Sequence, residues 1–257
     1  MLDSFLMAFS LYSRIPVPQA KWSDRSMRYC ICFLPLVGVV IGAAQYGLFR
    51  LLGILQAGPA LRGALLAVLP VFLSGGIHMD GFLDTCDAIH SWKGPEERLR
   101  ILKDPHVGAF ALIGGLVYFV LAAGIWSETE SAGPLQLLSL CLVFVLSRAL
   151  SAFAALIFPK AKKDGMLVQE TDPAAKGAAG VMAAVSVLTA AAMVITGGVG
   201  GACGAAACLT VLLYYRHTAA SMFGGTTGDL AGWFLQLCEL LGPAAMLLAW
   251  MIQYRLI

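Results

Sequence analysis

Long runs without charge, separated by short polar stretches, set the pattern of this chain. Residues 31–49 form the first run, 63–79 the second and 105–127 the third. The fourth, 135–158, is interrupted only by Arg148, and the last, 230–252, only by Glu239. Between them lies 177–215, 39 residues without a charge, with GGVGG at 197–201. About 20 helical residues cross a hydrocarbon layer, and glycine clusters favour turns. This run therefore predicts two helices joined at the glycines. The alternation that a membrane strand needs is missing, so the backbone is expected to satisfy its hydrogen bonds as helix. The pattern predicts an all-α fold, a polytopic integral membrane helical bundle of about seven transmembrane helices, in a single domain over 1–257. The first 18 residues, with Asp3 where a leader would carry positive charge, predict a short amphipathic segment at the membrane surface and no secretory signal.

Composition supports the membrane reading. Hydrophobic residues make up 59% of the chain and charged ones 12%, against about a quarter charged in a soluble domain. A net charge of +2 leaves no polybasic surface for nucleic acid. The seven cysteines are scattered without a CxxC or zinc spacing, and read as small buried hydrophobes.

Lys and Arg set the orientation. Arg14, Lys21, Arg25 and Arg28 precede the first span, and Lys93, Arg98, Arg100 and Lys103 follow the second. Lys160, Lys162, Lys163 and Lys176 follow the fourth, and Arg216 precedes the last. The opposite side has only Arg50, Arg62 and Arg255. The expected location is therefore the cell (inner) membrane, multi-pass, with a cytoplasmic N-terminus. The polar motifs fall on that same cytoplasmic side.

The most informative of them is GGIHMDGFLDTCDAIH, residues 75–90. If the second span continues as a helix through residue 90, Asp80, Asp84 and Asp87 stack within roughly 60° of arc. Neighbouring carboxylates about 5–6 Å apart repel by about 3 kcal/mol at an effective dielectric near 20. A divalent cation removes that repulsion. Hard carboxylates favour Mg²⁺, with Mn²⁺ as the alternative, and Mg²⁺ is usually shared with a substrate phosphate. The competing view is a solvated helix end, where the dipole of the preceding span disfavours acids. His78 points away from the acid face and reads as a hydrogen-bonding group.

Other polar positions fit an anionic substrate. Lys103 would neutralise phosphate charge, and Asp104 would cap a span starting at Pro105. Arg148, inside an apolar run, would bind phosphate or the acid cluster, with a pairing to Glu239 as the structural alternative. GGTTGD, residues 224–229, offers Gly224, Gly225, Thr226 and Thr227 to phosphate or ribose. Taken alone it is a turn with Asp229 as the cap of the last span.

Together these motifs make the chain similar to the cobalamin synthase family, the adenosylcobinamide-GDP ribazoletransferases of late vitamin B12 synthesis. The resemblance runs nearly end to end and rests on SRIPVP, GGIHMDGFLDTCDA, ILKDPHVGAFA, SRA around Arg148 and GGTTGDLAG. Ala88 stands where the family usually has Gly, KDPH where it often has KDS, and GGTTGD where it often has GGQTGD. The resemblance implies a Mg²⁺-dependent phosphotransferase, with adenosylcobinamide-GDP and α-ribazole or its 5′-phosphate as substrates and GMP as leaving group. It places Arg14, His78 and Asp104 in substrate binding beside Lys103 and the GGTTGD residues. It also makes the lipid bilayer and other cobalamin pathway enzymes the expected partners. On this view Asp80, Asp84 and Asp87 hold the metal, Lys103 and Arg148 stabilise phosphate charge, and Asp229 or a cluster acid is the base. Two rivals remain, a CDP-alcohol-type phospholipid phosphotransferase and an ion-coupled transporter. The first lacks its second acidic pair in this sequence, and the second lacks visible internal repeats.

Overall fold

Apolar helices packed at glycine-rich crossings make up the protein, seen here as a computed structural model that describes residues 1–256. The chain opens with α1 (Leu2–Tyr12) and the short α2 (Asp24–Met27), and a single 3-10 turn leads into α3 (Leu34–Ile54). α4 (Pro59–Ser74) and α5 (Ile77–His90) follow, then α6 (Pro95–Ile101), α7 (Ala109–Ser127) and α8 (Pro134–Ile157). After α9 (Met166–Thr171) come α10 (Ala178–Phe223) and α11 (Gly228–Leu256). No strand occurs among the described residues, apart from one isolated bridge between Lys160 and Thr226.

α8 is the hub and packs against α3, α10 and α11, while α4 lies on α7 and α5 on α11. The outer helices turn large apolar side chains outward. On α7 these include Leu112, Leu116, Val117 and Val120, and on α10 Val187, Leu188 and Ile195. Such a belt is stable against lipid and costly against water, so the protein is a multi-pass membrane protein. All seven cysteines are free and five are buried.

Five helices are long and apolar enough to cross a membrane, or six when α4 and α5 count as one bent span. The seven runs seen in the sequence do not map onto these one to one, because α10 counts once. A straight helix of its 46 residues would measure ~69 Å, more than twice the ~30 Å hydrocarbon layer. Gly198, at φ 59° and ψ −134°, breaks it within GGVGG. A Cβ on Gly201 would strike the carbonyl of Met193, eight residues back, so the chain reverses at this break.

The second expected span is where the structure departs most. The helix does not continue from 63 to 90. It stops at Ser74 and restarts at Ile77, bent by 100°. Gly75 and Gly76 make the bend with left-handed φ of 70° and 82°, a conformation glycine adopts without a Cβ penalty. Leu73 O, freed from the helix, accepts the backbone N–H of Arg14 at 2.8 Å. The bend gives α5 its own N-terminus, so Asp80 lies in a first turn, where the dipole favours an acid. This reverses the electrostatic objection drawn from a continuous span. The third span also starts late, at Ala109 rather than Pro105, and Asp104 does not cap it.

Candidate functional site

A cavity of about 410 Å³ opens where α5, α8 and α11 meet the polar 158–170 segment. Asp80, Asp229, Lys103, Lys160 and Lys162 all line it. α5 and α11 come together at Gly81, whose Cβ would lie 2.7 Å from Asp229 O and 2.8 Å from its Cα. Only glycine permits this approach, and it sets Asp229 beside the Asp80–Asp84 turn. Asp80 is exposed, Asp84 and Asp229 half-buried.

Asp87 has a different task. Its carboxylate accepts the backbone N–H of Gly108 at 2.7 Å and of Ala111 at 2.9 Å. It thus caps α7 from a neighbouring helix, the task the sequence suggested for Asp104. The trio expected to meet on one ion is therefore split. Among the described residues no three His, Cys, Asp or Glu groups lie close enough to hold a metal. What remains is a hard-oxygen set, Asp80 and Asp84 with Asp229 opposite. One or two carboxylates completed by substrate phosphate is the usual way proteins bind Mg²⁺, so these residues suit that ion.

The Gly-rich loop does not offer its amides to the cavity in the way expected from the sequence: Gly225 N donates to Ala219 O at 2.9 Å, and Thr226 and Thr227 line the cavity where Gly224 and Gly225 do not. Ala161 N donates to Thr226 O at 3.0 Å and Thr226 N to Pro159 O at 2.8 Å, which ties the loop to the segment bearing Lys160 and Lys162. Gly224 is left-handed at φ 73°, and a Cβ on Gly225 would meet Lys160 and Ala161 backbone at 2.5 Å. Thr226 is buried and its hydroxyl pairs with that of Tyr215, so it braces the loop from within. Thr227, not Asp229, caps α11, accepting Leu230 N at 3.2 Å. Asp229 is thereby left facing the cavity.

His78 lines the cavity and is 6% exposed, and its Nε2 has no hydrogen-bond partner. Arg148 is elsewhere. It is fully buried, donates to Glu239 Oε1 at 2.6 Å and to Phe144 O at 3.0 Å, and does not line the cavity. Its position fits the structural alternative. Asp104 is exposed and holds His106 N at 3.0 Å, contacts that lower its pKa. Arg14 is exposed, with its side chain against Gly75 at the α4–α5 bend.

Three groups were not singled out from the sequence. Lys160 and Lys162 were counted only toward orientation. Lys162 has its pKa lowered, first by partial burial and then by the neighbouring Lys103. Two ammonium groups held together in this way favour an anion between them. Glu170, 5% exposed, also lines the cavity and accepts the Tyr12 hydroxyl at 2.9 Å. Burial pushes its carboxyl up to about 7, against the Tyr12 hydrogen bond, which favours the charged form.

Residues 4–248 match the family model described as Cobalamin-5-phosphate synthase. A relative from Lachnoclostridium phytofermentans, named adenosylcobinamide-GDP ribazoletransferase, is 42% identical over 96% of this chain and 94% of its own. Proteins of the same name from Clostridium perfringens strain 13 and Halalkalibacterium halodurans are also similar. The first is 29% identical over 92% of this chain and 94% of its own, the second 35% over 63% and 62%. No solved structure matches the chain. With acids, lysines and a braced Gly-rich loop around one cavity, and a match over nearly its full length, the chain belongs to the cobalamin-5-phosphate synthase family.

Proposed function

We propose that this chain is an adenosylcobinamide-GDP ribazoletransferase acting at the cytoplasmic face of the inner cell membrane. One observation carries the reading: a single cavity sets carboxylates of α5 and α11 against lysines of two loops. That is the charge pattern a diphosphate and a hydroxyl nucleophile require. The side is supported by the thirteen Lys and Arg in the sequence segments between spans that carry the polar motifs, against three in the opposite segments.

In the proposed reaction the 3′-hydroxyl oxygen of α-ribazole, or of its 5′-phosphate, attacks the phosphorus next to the cobinamide arm. A new P–O bond forms, the bridging P–O bond breaks, and GMP leaves with the electron pair. Adenosylcobalamin or its 5′-phosphate is the product. Such transfer depends on in-line positioning and charge neutralisation. Lys103 and Lys162 hold the diphosphate oxygens, and Lys160, fixed by Asp172 at 2.5 Å, borders them. Asp229 is placed to take the hydroxyl proton. Asp80 and Asp84 are the residues that would hold Mg²⁺, which when bound neutralises charge on the diphosphate. Asp87 keeps α7 against α5, and Thr226 keeps the Gly-rich loop in register with the lysines.

The test is GMP release by the purified protein in liposomes. Release that requires adenosylcobinamide-GDP, α-ribazole and Mg²⁺ together is the expected result. Activity on a CDP-alcohol substrate instead would move the chain to a different chemistry.

A further inference from the structure

We propose that a groove apart from the catalytic cavity seats the phosphate headgroup of an anionic phospholipid. The groove, of about 810 Å³, lies between the 24–29 segment and the 173–176 segment. It shares no lining residue with the cavity described above, so it is a second site and does not depend on the proposed reaction.

Two segments that lead into membrane-crossing helices build the groove. Arg28 is followed by the 3-10 turn and α3, and Lys176 by α10. Ala175 N donates to Arg28 O at 2.9 Å, which ties the two segments together. Arg25, Arg28 and Lys176 line the groove and are exposed, with Asp24 the one acid among the lining residues. Among the described residues, none of these three cations has a carboxylate within ion-pair distance. On other loops, Arg100 pairs with Glu97 and Lys160 with Asp172. The Arg28 guanidinium lies over the Tyr29 ring at 5.6 Å, which holds it at the groove. Like charges around one hollow repel, and an anion between them turns repulsion into attraction. A phosphate suits both cation types, taking the planar fork of Arg and the point charge of Lys.

The level of the groove along the helices selects the source of that phosphate. Leu36 in the first turn of α3 and Val181 in the first turn of α10 are exposed apolar side chains. The lipid-facing belt therefore begins within a turn of the helix starts that the groove precedes. Trp22, exposed, and Tyr29 stand in the same segment, and aromatic residues of this kind gather at the membrane–water boundary. A headgroup in the groove keeps its acyl chains in hydrocarbon, where α3 also exposes Val39 and Val40. A soluble phosphate ester gains the charge contacts alone. Each Lys or Arg facing an anionic lipid contributes about fivefold in affinity. The 173–176 wall continues from α9, whose Leu167 and Glu170 line the catalytic cavity, so a bound headgroup steadies that side of the cavity as well.

Native mass spectrometry of the full chain in detergent tests this, with phosphatidylglycerol or phosphatidylcholine of the same acyl chains as the titrant. The first phosphatidylglycerol should bind about 10-fold or more tighter than phosphatidylcholine. Arg28→Gln/Lys176→Gln removes two of the three groove cations and should weaken that binding about 25-fold. Lys93→Gln/Arg100→Gln removes the same charge elsewhere and should leave it within about twofold. Equal weakening in the two double variants would mean diffuse surface charge and overturns the proposal. Unchanged binding in the groove variant, or no preference for phosphatidylglycerol, overturns it too. Displacement of the lipid by an equal concentration of inorganic phosphate would make phosphate without chains the ligand, which also overturns it. Should the groove variant fail to fold, the wild-type headgroup preference and phosphate competition decide. None of these readouts involves GMP release, so a failure here leaves the proposed reaction to its own test.

Discussion

Removal of Glu239 isolates the energetics of the bundle centre. Arg148 and Glu239 form an ion pair at 2.6 Å, with side chains 1% and 2% exposed. In Glu239→Ala the guanidinium keeps only Phe144 O as a partner, since its Nε already has none. At an effective dielectric near 20 the lost attraction is about 4 kcal/mol, and breaking buried pairs by removing one partner costs about 3–5 kcal/mol. For a chain of this size each kcal/mol moves the thermal midpoint by about 2–4 °C, so a fall of about 6–20 °C is expected. Detergent-solubilised protein followed by fluorescence of its five tryptophans reports it. The double variant Arg148→Met/Glu239→Leu removes both charges and should recover most of the loss, because an apolar pair of similar volume is often neutral. It should also keep GMP release, since Arg148 does not line the cavity. A single variant within about 2 °C of wild type, or a double variant as unstable as the single, refutes the reasoning.

Asp87→Ala should lower the thermal midpoint by removing two backbone caps from α7, about 1–2 kcal/mol, and hydrogen exchange should rise first at 108–111. Glu170 predicts a pH dependence with a definite sign. Its folded pKa, about 7, lies above the ordinary 4.5, so its contribution to stability is fully present below pH 4.5 and is lost as pH rises through 7. Thermal midpoints measured from pH 5 to 8 should fall for wild type and fall less for Glu170→Gln.

Helical periodicity placed Asp80, Asp84 and Asp87 on one face, and α5 does carry them together. Periodicity gives the face of a helix but not what lies across from it. The N-terminus of α7, 21 residues on from Asp87, takes that carboxylate. Local preference similarly favoured Asp104 and Asp229 as caps, where Asp87 and Thr227 serve. Gly75 and Gly76 lie inside the uncharged run 63–79, and nothing in the hydrophobic pattern marks the left-handed backbone that bends the chain there. The Arg148–Glu239 pair spans 91 residues, a separation at which sequence alone names both charges without joining them. Lys160 and Lys162 looked like ordinary orientation charges. Only the bridge to Thr226 brings them to the cavity, and backbone pairing between loops leaves no mark in side-chain pattern.

The most direct test of the central claim is kcat for GMP release in Asp80→Asn and Asp229→Asn, measured beside the thermal midpoint of each. Acids of α5 and α11 acting on one diphosphate predict a loss of about 100-fold or more in both variants, with midpoints unchanged. Turnover within about twofold of wild type in either contradicts the account.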